Sequence, residues 1–319
     1  MKLTLSETAA RLREMDRIAV ISHRSPDSDT LGCAAALCRG LQSMGKLVTF
    51  LCADPITPRY AFLMEDLPVP LIEPEHVVTV DVAAPDLMGT LKDEWYPRVE
   101  LCIDHHGTNS MEAPGVYVDS TAAAACEIIY ELLKELQVEI TPVIADCLYA
   151  GISGDTGCFK YQNVTPKTYR IAAELIELGA HGPEINRRFF DTKTRGRVEM
   201  EKRVYDSLHY YFDGKCACAS ITDQMKADAG ASEDDADGLA SLPRQIEGVL
   251  VGVTLVEQAG IGYKLSLRAV PPVNAAQIAA NFGGGGHPGA AGCRIEASLE
   301  EAEAMITAAV GAHLKELGL

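Results

Sequence analysis

The chain is short of positive charge. It sets 28 Lys and Arg against 45 Asp and Glu, for a formal net charge of −17 and a pI near 4.9. Long nucleic acid is gripped mainly by Lys and Arg neutralising phosphates, so this balance argues against a general polyanion binder. An anionic substrate is expected to be small or held by metal ions. A long uncharged apolar run is also missing. The longest stretch without formal charge, Ala269 to Cys293, is broken by Pro271, Pro272, Asn274, Gln277 and a run of glycines, and cannot be a membrane helix. The first residues, MKLTLSETAARLREMDR, carry charges where a signal peptide needs its apolar core. None of the ten cysteines forms a Cys-x-x-Cys pair. With no export signal, they are expected to be reduced thiols of a cytoplasmic protein, most of them buried as small hydrophobes.

What is present suits a soluble α/β protein. At 319 residues, 47% hydrophobic, with a mean hydropathy of +0.04, the chain is long enough for two domains with their own cores. Arg17–Ser22, Leu47–Leu51, Val77–Val80 and Val99–Ile103 are apolar, β-branched runs of strand length, the first followed by a helix-like segment, Leu31–Met44. Strands apolar on both faces predict a parallel sheet covered by helices. Asp119-Ser120-Thr121 offers caps for a helix to about Leu136. Thr165-Pro166 opens another, ended by Gly179. Thr194–Tyr211 reads as a connector helix. Beyond Gly214 come strand-like Cys216–Ile221, Gly248–Val256 and Gly262–Arg268, a short helix at Ala275–Phe282, a Gly-rich loop, a strand Cys293–Ala297 and a last helix opened by the capping box Ser298–Glu301. The acidic run Ser232–Asp237 reads as a solvated loop. No internal repeat is visible.

The acids fall at strand ends. The first apolar run leads into His23-Arg24-Ser25-Pro26-Asp27-Ser28-Asp29, the third ends in Asp81, and the fourth in Asp104-His105-His106. Ligands of open parallel sheets bind beyond the carboxyl ends of the strands, so these residues are expected at one edge. Asp155, within Gly151–Gly157, reads as a turn residue that brings another carboxylate there. Like charges held close resist burial, and divalent cations resolve the conflict. Asp oxygens with His nitrogens suit Mn²⁺, or Mg²⁺ with more oxygens. There are enough ligands for two ions sharing a carboxylate, the arrangement that activates a bridging water against a phosphoryl group. Asp54 before Pro55 reads as a turn former, and His76 and His181 as surface residues.

A second signal is Gly283-Gly284-Gly285-Gly286-His287-Pro288-Gly289. Consecutive glycines are entropically costly unless something approaches the main chain closely, and successive N–H groups make a concavity for anions. It is neither a Walker loop, lacking Gly-Lys-Ser/Thr, nor a dinucleotide fingerprint, since it precedes a strand. His287 and Arg268 are candidate phosphate contacts.

In these motifs the chain resembles the DHH phosphoesterase superfamily, named for Asp104-His105-His106, with a carboxyl-terminal part that resembles its DHHA1 partner domain, marked by Gly283–His287. Within the superfamily it resembles the NrnA-like oligoribonuclease/pAp phosphatases, or nanoRNases. The resemblance implies a DHH domain over residues 1–190, a connector helix over 191–213 and a DHHA1 domain over 214–319, with the active site in the cleft between the domains. It further implies that His23, Asp27 and Asp81 hold one Mn²⁺ and that Asp29, Asp81, His105 and Asp155 hold the second, with Mg²⁺ or Co²⁺ as substitutes. Asp104 would orient the site, and His106 would contact the phosphate. Arg268, Gly283, Gly284, Gly285, Gly286 and His287 would bind the substrate. Four positions depart from the pattern: Ser25 for the common Asn, Ser28 for Gly, Gly154 for the Thr preceding Asp155, and Ala269 for the Ser after Arg268.

The resemblance implies hydrolysis of short oligoribonucleotides and of 3′-phosphoadenosine 5′-phosphate (pAp). A soluble phosphodiesterase of cyclic di-AMP or linear pApA is the alternative, and a non-catalytic nucleotide-binding module the remote one. Expected partners are short single-stranded oligoribonucleotides or small nucleotides, with neither membrane nor long duplex nucleic acid; a homodimer is compatible with the sequence.

Overall fold

Five apolar runs in the first half form one parallel sheet: β1 (Ile18–Ile21), β2 (Val48–Leu51), β3 (His76–Val80), β4 (Val99–Asp104) and β5 (Gly115–Val118), in the order β2-β1-β3-β4-β5. The computed structural model describes residues 1–236 and 238–319, in two units, Met1–Thr192 and Lys193–Leu319. In the first unit the side chains alternate between two cores. Val20, Val78, Val80, Leu101 and Ile103 face the helices Ser28–Ser43, Ala125–Glu135 and Pro142–Asp155, while Ile21, Val77, Val99 and Cys102 meet Met88 and Met111 on the other side. The chain reverses direction across the sheet between β1 and β3, the switch point where α/β sheets hold ligands.

Several expectations are corrected here. Strand β5 was not expected: four residues long, it is recognisable only because it pairs with β4 and its Val116 bridges Lys2. The helix Leu5–Glu14, with Thr4 and Glu7 as a capping box, was likewise unread. Asp119 does not cap a helix. Its Oδ1 accepts from the Thr121 N–H (3.0 Å) and hydroxyl (2.6 Å) and closes a turn, and the helix begins at Ala125. Asp155 lies in no turn; it is the last residue of the helix Pro142–Asp155. Thr165, Pro166 and Gly179 bound the helix Pro166–Glu177 as expected.

The second unit carries a mixed sheet of β6 (His209–Tyr211), β7 (Cys216–Ile221), β8 (Val251–Gln258), β9 (Gly262–Ala269), β10 (Gly285–His287) and β11 (Ala290–Ile295), ordered β10-β11-β9-β8-β7-β6. Helices Leu299–Glu316 and Ala275–Ala280 cover one face through Val253, Leu267, Ile278, Ile306 and Val310. The helical reading of Thr194–Tyr211 shortens to Arg195–Asp206, because His209–Tyr211 pairs antiparallel with β7. That helix packs Met200 and Val204 on Ala219, Ile221, Leu239 and Leu242 of its own unit. The run Ser232–Asp237 is not all loop: Glu233–Ala236 is a helical turn, and Asp235 is buried, accepting from Thr194 and Ser232. Asp237 lies outside the described residues. Gly285–His287, expected as loop, is the edge strand β10.

Candidate metal centre

Each strand end delivers its acid for a local reason. Asp27 caps the helix Ser28–Ser43: Oδ1 accepts from the N–H groups of Asp29 (2.9 Å) and Thr30 (3.1 Å), leaving Oδ2 facing inward. Asp29, in the first turn, is fully buried and caps a different helix. Its Oδ2 accepts from Ala125 N–H (2.6 Å) and its Oδ1 from Cys126 N–H (3.0 Å), across nearly a hundred residues of sequence. Gly151 makes room for this, since a Cβ there would meet Cys126 Sγ and Asp29 Oδ1. Asp81 follows β3 with a φ of 57°, a left-handed backbone that Asp tolerates better than most residues. Asp104 ends β4. Its Oδ1 accepts from His105 N–H and His106 Nδ1 (both 2.8 Å), and its Oδ2 from Asn109 Nδ2 (2.5 Å).

Two partly buried imidazoles decide the chemistry. His23 Nδ1 lies 2.7 Å from the Arg24 carbonyl and His105 Nδ1 3.3 Å from the Ala122 carbonyl. A carbonyl only accepts, so each Nδ1 carries a proton and Nε2 is the ring nitrogen turned inward. His23 Nε2 faces Asp27 Oδ2 (3.7 Å) and Asp81 Oδ2 (3.6 Å). His105 Nε2 faces Asp155 Oδ2 (3.4 Å), Asp81 Oδ1 (3.6 Å) and Asp29 Oδ2 (4.0 Å). Asp81 Oδ1 and His105 Nε2 are both buried without a hydrogen-bond partner. The donors form the groups His23–Asp27–Asp81 and Asp29–His105–Asp155, each with all ligand atoms within 4.8 Å of one another. Asp81 presents one oxygen to each group.

Electrostatics point the same way. Burial, with Asp27 adding to it, pushes the Asp29 carboxyl up to about 6. Burial and then the charges of Asp29 and Asp27 push Asp155 up to about 8, and Asp81 is raised well above its ordinary value by burial, then by Asp29, Asp27 and Asp155. Asp155 also ends a helix, where the backbone dipole disfavours an anion. Burial would raise Asp104 too, but the hydrogen bonds from His106 and Asn109 outweigh it and hold that carboxyl low. The bond to Asp104 in turn raises His106, whose ring is half-exposed. Carboxylate oxygens and imidazole nitrogens with orphaned lone pairs are the donor set of Mn²⁺ or Mg²⁺.

The eight site residues expected in the first unit therefore converge. Sequence reasoning missed Asn109, the amide that clamps Asp104, and Gly151. Asp54 is the turn former expected, accepting from Ser25 N–H (2.7 Å), and His181 is exposed against Asp146. His76 is partly covered, 3.1 Å from Glu100. Ser28 and Gly154, both departures from the pattern the chain resembles, are neighbours in space. A Cβ at Gly154 would collide with Ser28 Oγ, so the two positions share one space and a larger residue at 154 requires a smaller one at 28.

In the second unit, His287 of β10, Ala290 of β11 and Arg268 of β9 stand in one row across the sheet. Arg268 Nη1 donates to Ser266 Oγ and Leu267 O (both 3.1 Å). The glycine run is less open to anions than its sequence implies. Gly283 and Gly284 donate their N–H groups to the carbonyls of Ala280 and Ala279, capping the helix Ala275–Ala280. Gly284 and Gly286 are further required by close backbone approach to β11, whereas a Cβ on Gly285 would meet nothing within 4 Å.

Known proteins show the same combination. The DHH family N-terminal domain model matches residues 17–152 and the DHHA1 domain model residues 213–315. The bifunctional oligoribonuclease and PAP phosphatase NrnA of Thermus thermophilus is 32% identical over 305 residues, 94% of this chain and 91% of the relative. The cyclic-di-AMP phosphodiesterase PdeA of Listeria monocytogenes is 25% identical over 95% of this chain but only 49% of its own length. Among solved structures, an exopolyphosphatase-related protein of Bacteroides fragilis superposes with a TM-score of 0.89 at 22% identity, covering 99% of this chain and 97% of that one. RecJ of Thermus thermophilus, solved with Mn²⁺, gives 0.57 at 17% identity, over 98% of this chain and 55% of RecJ. Among the described residues, no helix is long and apolar enough to cross a membrane.

Proposed function

This chain belongs to the DHH–DHHA1 family of metal-dependent phosphoesterases, and from that premise we propose that it is a Mn²⁺-dependent enzyme that hydrolyses short oligoribonucleotides to mononucleotides and removes the 3′-phosphate of pAp. The observation that carries the two-ion reading is Asp81, buried between two donor groups with one oxygen turned to each. His23 and Asp27 would complete one site, and Asp29, His105 and Asp155 the other. When bound, the ions would polarise a phosphoryl group and lower the pKa of water.

The chain's own residues do the rest. The carbonyls of Arg24 and Ala122 fix the tautomers of His23 and His105, and the Ala125 and Cys126 N–H groups hold Asp29 against rotation. Asp104, itself clamped by Asn109, accepts the Nδ1 proton of His106 and leaves Nε2 of that ring for a substrate oxygen, to steady it or to give the leaving oxygen a proton. Arg268, the glycine run and His287 are assigned to the nucleotide or its terminal phosphate. All ten cysteines are free and eight are buried, which supports a reducing, cytoplasmic setting.

The likeness to NrnA over nine-tenths of both chains favours this reading over cyclic di-AMP hydrolysis, since PdeA matches over half its length only. The test is Mn²⁺-dependent product release from pAp, pApA, cyclic di-AMP, RNA of five and of twenty-four nucleotides, and pyrophosphate, with Asp104→Asn and Asp155→Asn as blanks. Preference for pAp and the five-mer, lost in both variants, is the expected result. Preference for cyclic di-AMP would transfer the site to nucleotide signalling, and silence across the panel would leave a binding module.

A further inference from the structure

Between Gly262 and Ile295 the chain contains no Asp or Glu, although its average of 45 in 319 would place about five there. The same segment holds Lys264, Arg268 and Arg294. Strand register puts all three on one face. Arg294 is paired directly with Lys264, and Arg268 lies four residues along β9, so the side chains of 264, 268 and 294 point away from the core that Leu265, Leu267, Cys293 and Ile295 fill. Lys264 and Arg294 are exposed, and neither has a hydrogen bond or ion pair among the described residues. The segment carrying Arg244 packs against the same face beside Arg268, since a Cβ on Gly252, the partner of Arg268 in β8, would meet the Arg244 backbone.

Like charges directly opposite each other across a ladder are destabilising, and in a chain of net charge −17 a carboxylate partner would be easy to supply. A polyanion laid along the face would turn the repulsion to use.

We propose that this face of β9 and β11 is a phosphate track, with Lys264 and Arg294 holding the part of a single-stranded oligoribonucleotide that lies beyond the nucleotide bound at Arg268. The inference rests on RNA being the substrate. Four residues of strand span roughly 13 Å, or about four stacked nucleotides at ~3.4 Å each and fewer in an extended strand. A five-mer therefore reaches Lys264 and Arg294, and pAp, a single nucleotide, does not. The track contributes to affinity for oligomers and nothing to the chemistry.

The experiment compares the full-length protein with the double variant Lys264→Ala/Arg294→Ala and the charge-keeping Lys264→Arg/Arg294→Lys. Binding of a fluorescent five-mer is followed by anisotropy in EDTA across salt concentrations, and kcat/KM is measured with Mn²⁺ for the five-mer and for pAp. For the alanine pair the expected result is affinity about ten-fold weaker at low salt and a salt slope smaller by about 1.4, two single-strand phosphate contacts. The five-mer kcat/KM falls in parallel, pAp changes less than two-fold, and the charge-keeping pair behaves as the parent. Unchanged five-mer binding, or equal losses on five-mer and pAp, would overturn the track. A parent that binds the five-mer but turns over neither substrate would instead defeat the proposed function, while the metal-free binding comparison still decides the track.

Discussion

In the first unit five carboxylates and three imidazoles converge where three strand ends and one helix end meet, with Asp29, Asp81 and Asp104 buried and no Lys or Arg paired to any of the eight among the described residues. In the second unit, Lys264 and Arg294 stand side by side on an exposed strand face, and neither is ion-paired among the described residues. The first concentration of charge is costly without its counter-ions and is held by backbone N–H and carbonyl groups that leave it no room to rearrange. The second costs little, because water screens it, and it is free to follow a flexible chain. A site that must fix reacting atoms and a surface that must accommodate many sequences are built from opposite treatments of the same interaction.

The strongest way to break this contrast is Asp81→Asn. Turnover should fall at least about a thousand-fold, since the one side chain facing both donor groups loses an anionic oxygen. Yet the metal-free variant should be more stable than the parent at neutral pH, because a buried carboxyl whose ionisation burial and its neighbours resist has gone. The pH dependence carries the same sign. Asp29 and Asp155 titrate at about 6 and about 8 when folded and near 3.9 when unfolded, so between these values the folded state holds the extra protons. Their contribution is therefore largest at acid pH and is lost as pH rises towards 8. Thermal melts in EDTA should show the parent losing stability over that window, Mn²⁺ raising Tm more at pH 8 than at pH 5.5, and Asp81→Asn showing little Mn²⁺ shift. A metal-free Tm that climbs with pH would refute the account.

A smaller effect tests how the first unit's frame is built. Gly154→Thr alone should displace Ser28 and with it the Asp27 and Asp29 helix turn, costing about 1–3 kcal/mol and most of the Mn²⁺ affinity, whereas Ser28→Gly/Gly154→Thr should recover both. Additive losses in the double-mutant cycle, read by chemical denaturation, would mean that the two positions do not share one space.

The smallest effect sharpens the second unit. Gly285→Ala should leave Tm within about 1 °C, as its Cβ meets nothing, but raise KM for the five-mer several-fold with kcat little changed if substrate approaches the main chain there. An unaltered KM would reduce the glycine run to a packing device, which is what its other members are shaped for.

Much of this was readable in the sequence because strand ends are local events. A β-branched run that stops at an acid marks both the element and the edge, and so His23, Asp27, Asp29, Asp81 and Asp104 to His106 could be named from spacing and resemblance. Elements whose identity depends on a distant partner were not readable. β5 and β10 are three or four residues long and are strands only because β4 and β11 lie beside them. The helix Ala125–Glu135 starts six residues after the Asp119 cap that local chemistry favoured, because Asp29 supplies the cap from another element. Asn109 carried no signal, since an amide is commonplace in a loop until a buried carboxylate is found against it.

The sequence by itself determined which donors exist, the strand ends that present most of them, and the acid-free segment that breaks an acidic chain. Only the tertiary structure decided that Asp81 faces two groups, that Asp155 reaches them from a helix terminus, that Asp29 is locked by Ala125 and Cys126, and that Ser28 and Gly154 share one space. The physical reason is that hydrophobic periodicity is written in neighbouring residues, whereas the orientation of a lone pair is set by whichever group, however distant in the chain, the core packing brings within 3 or 4 Å.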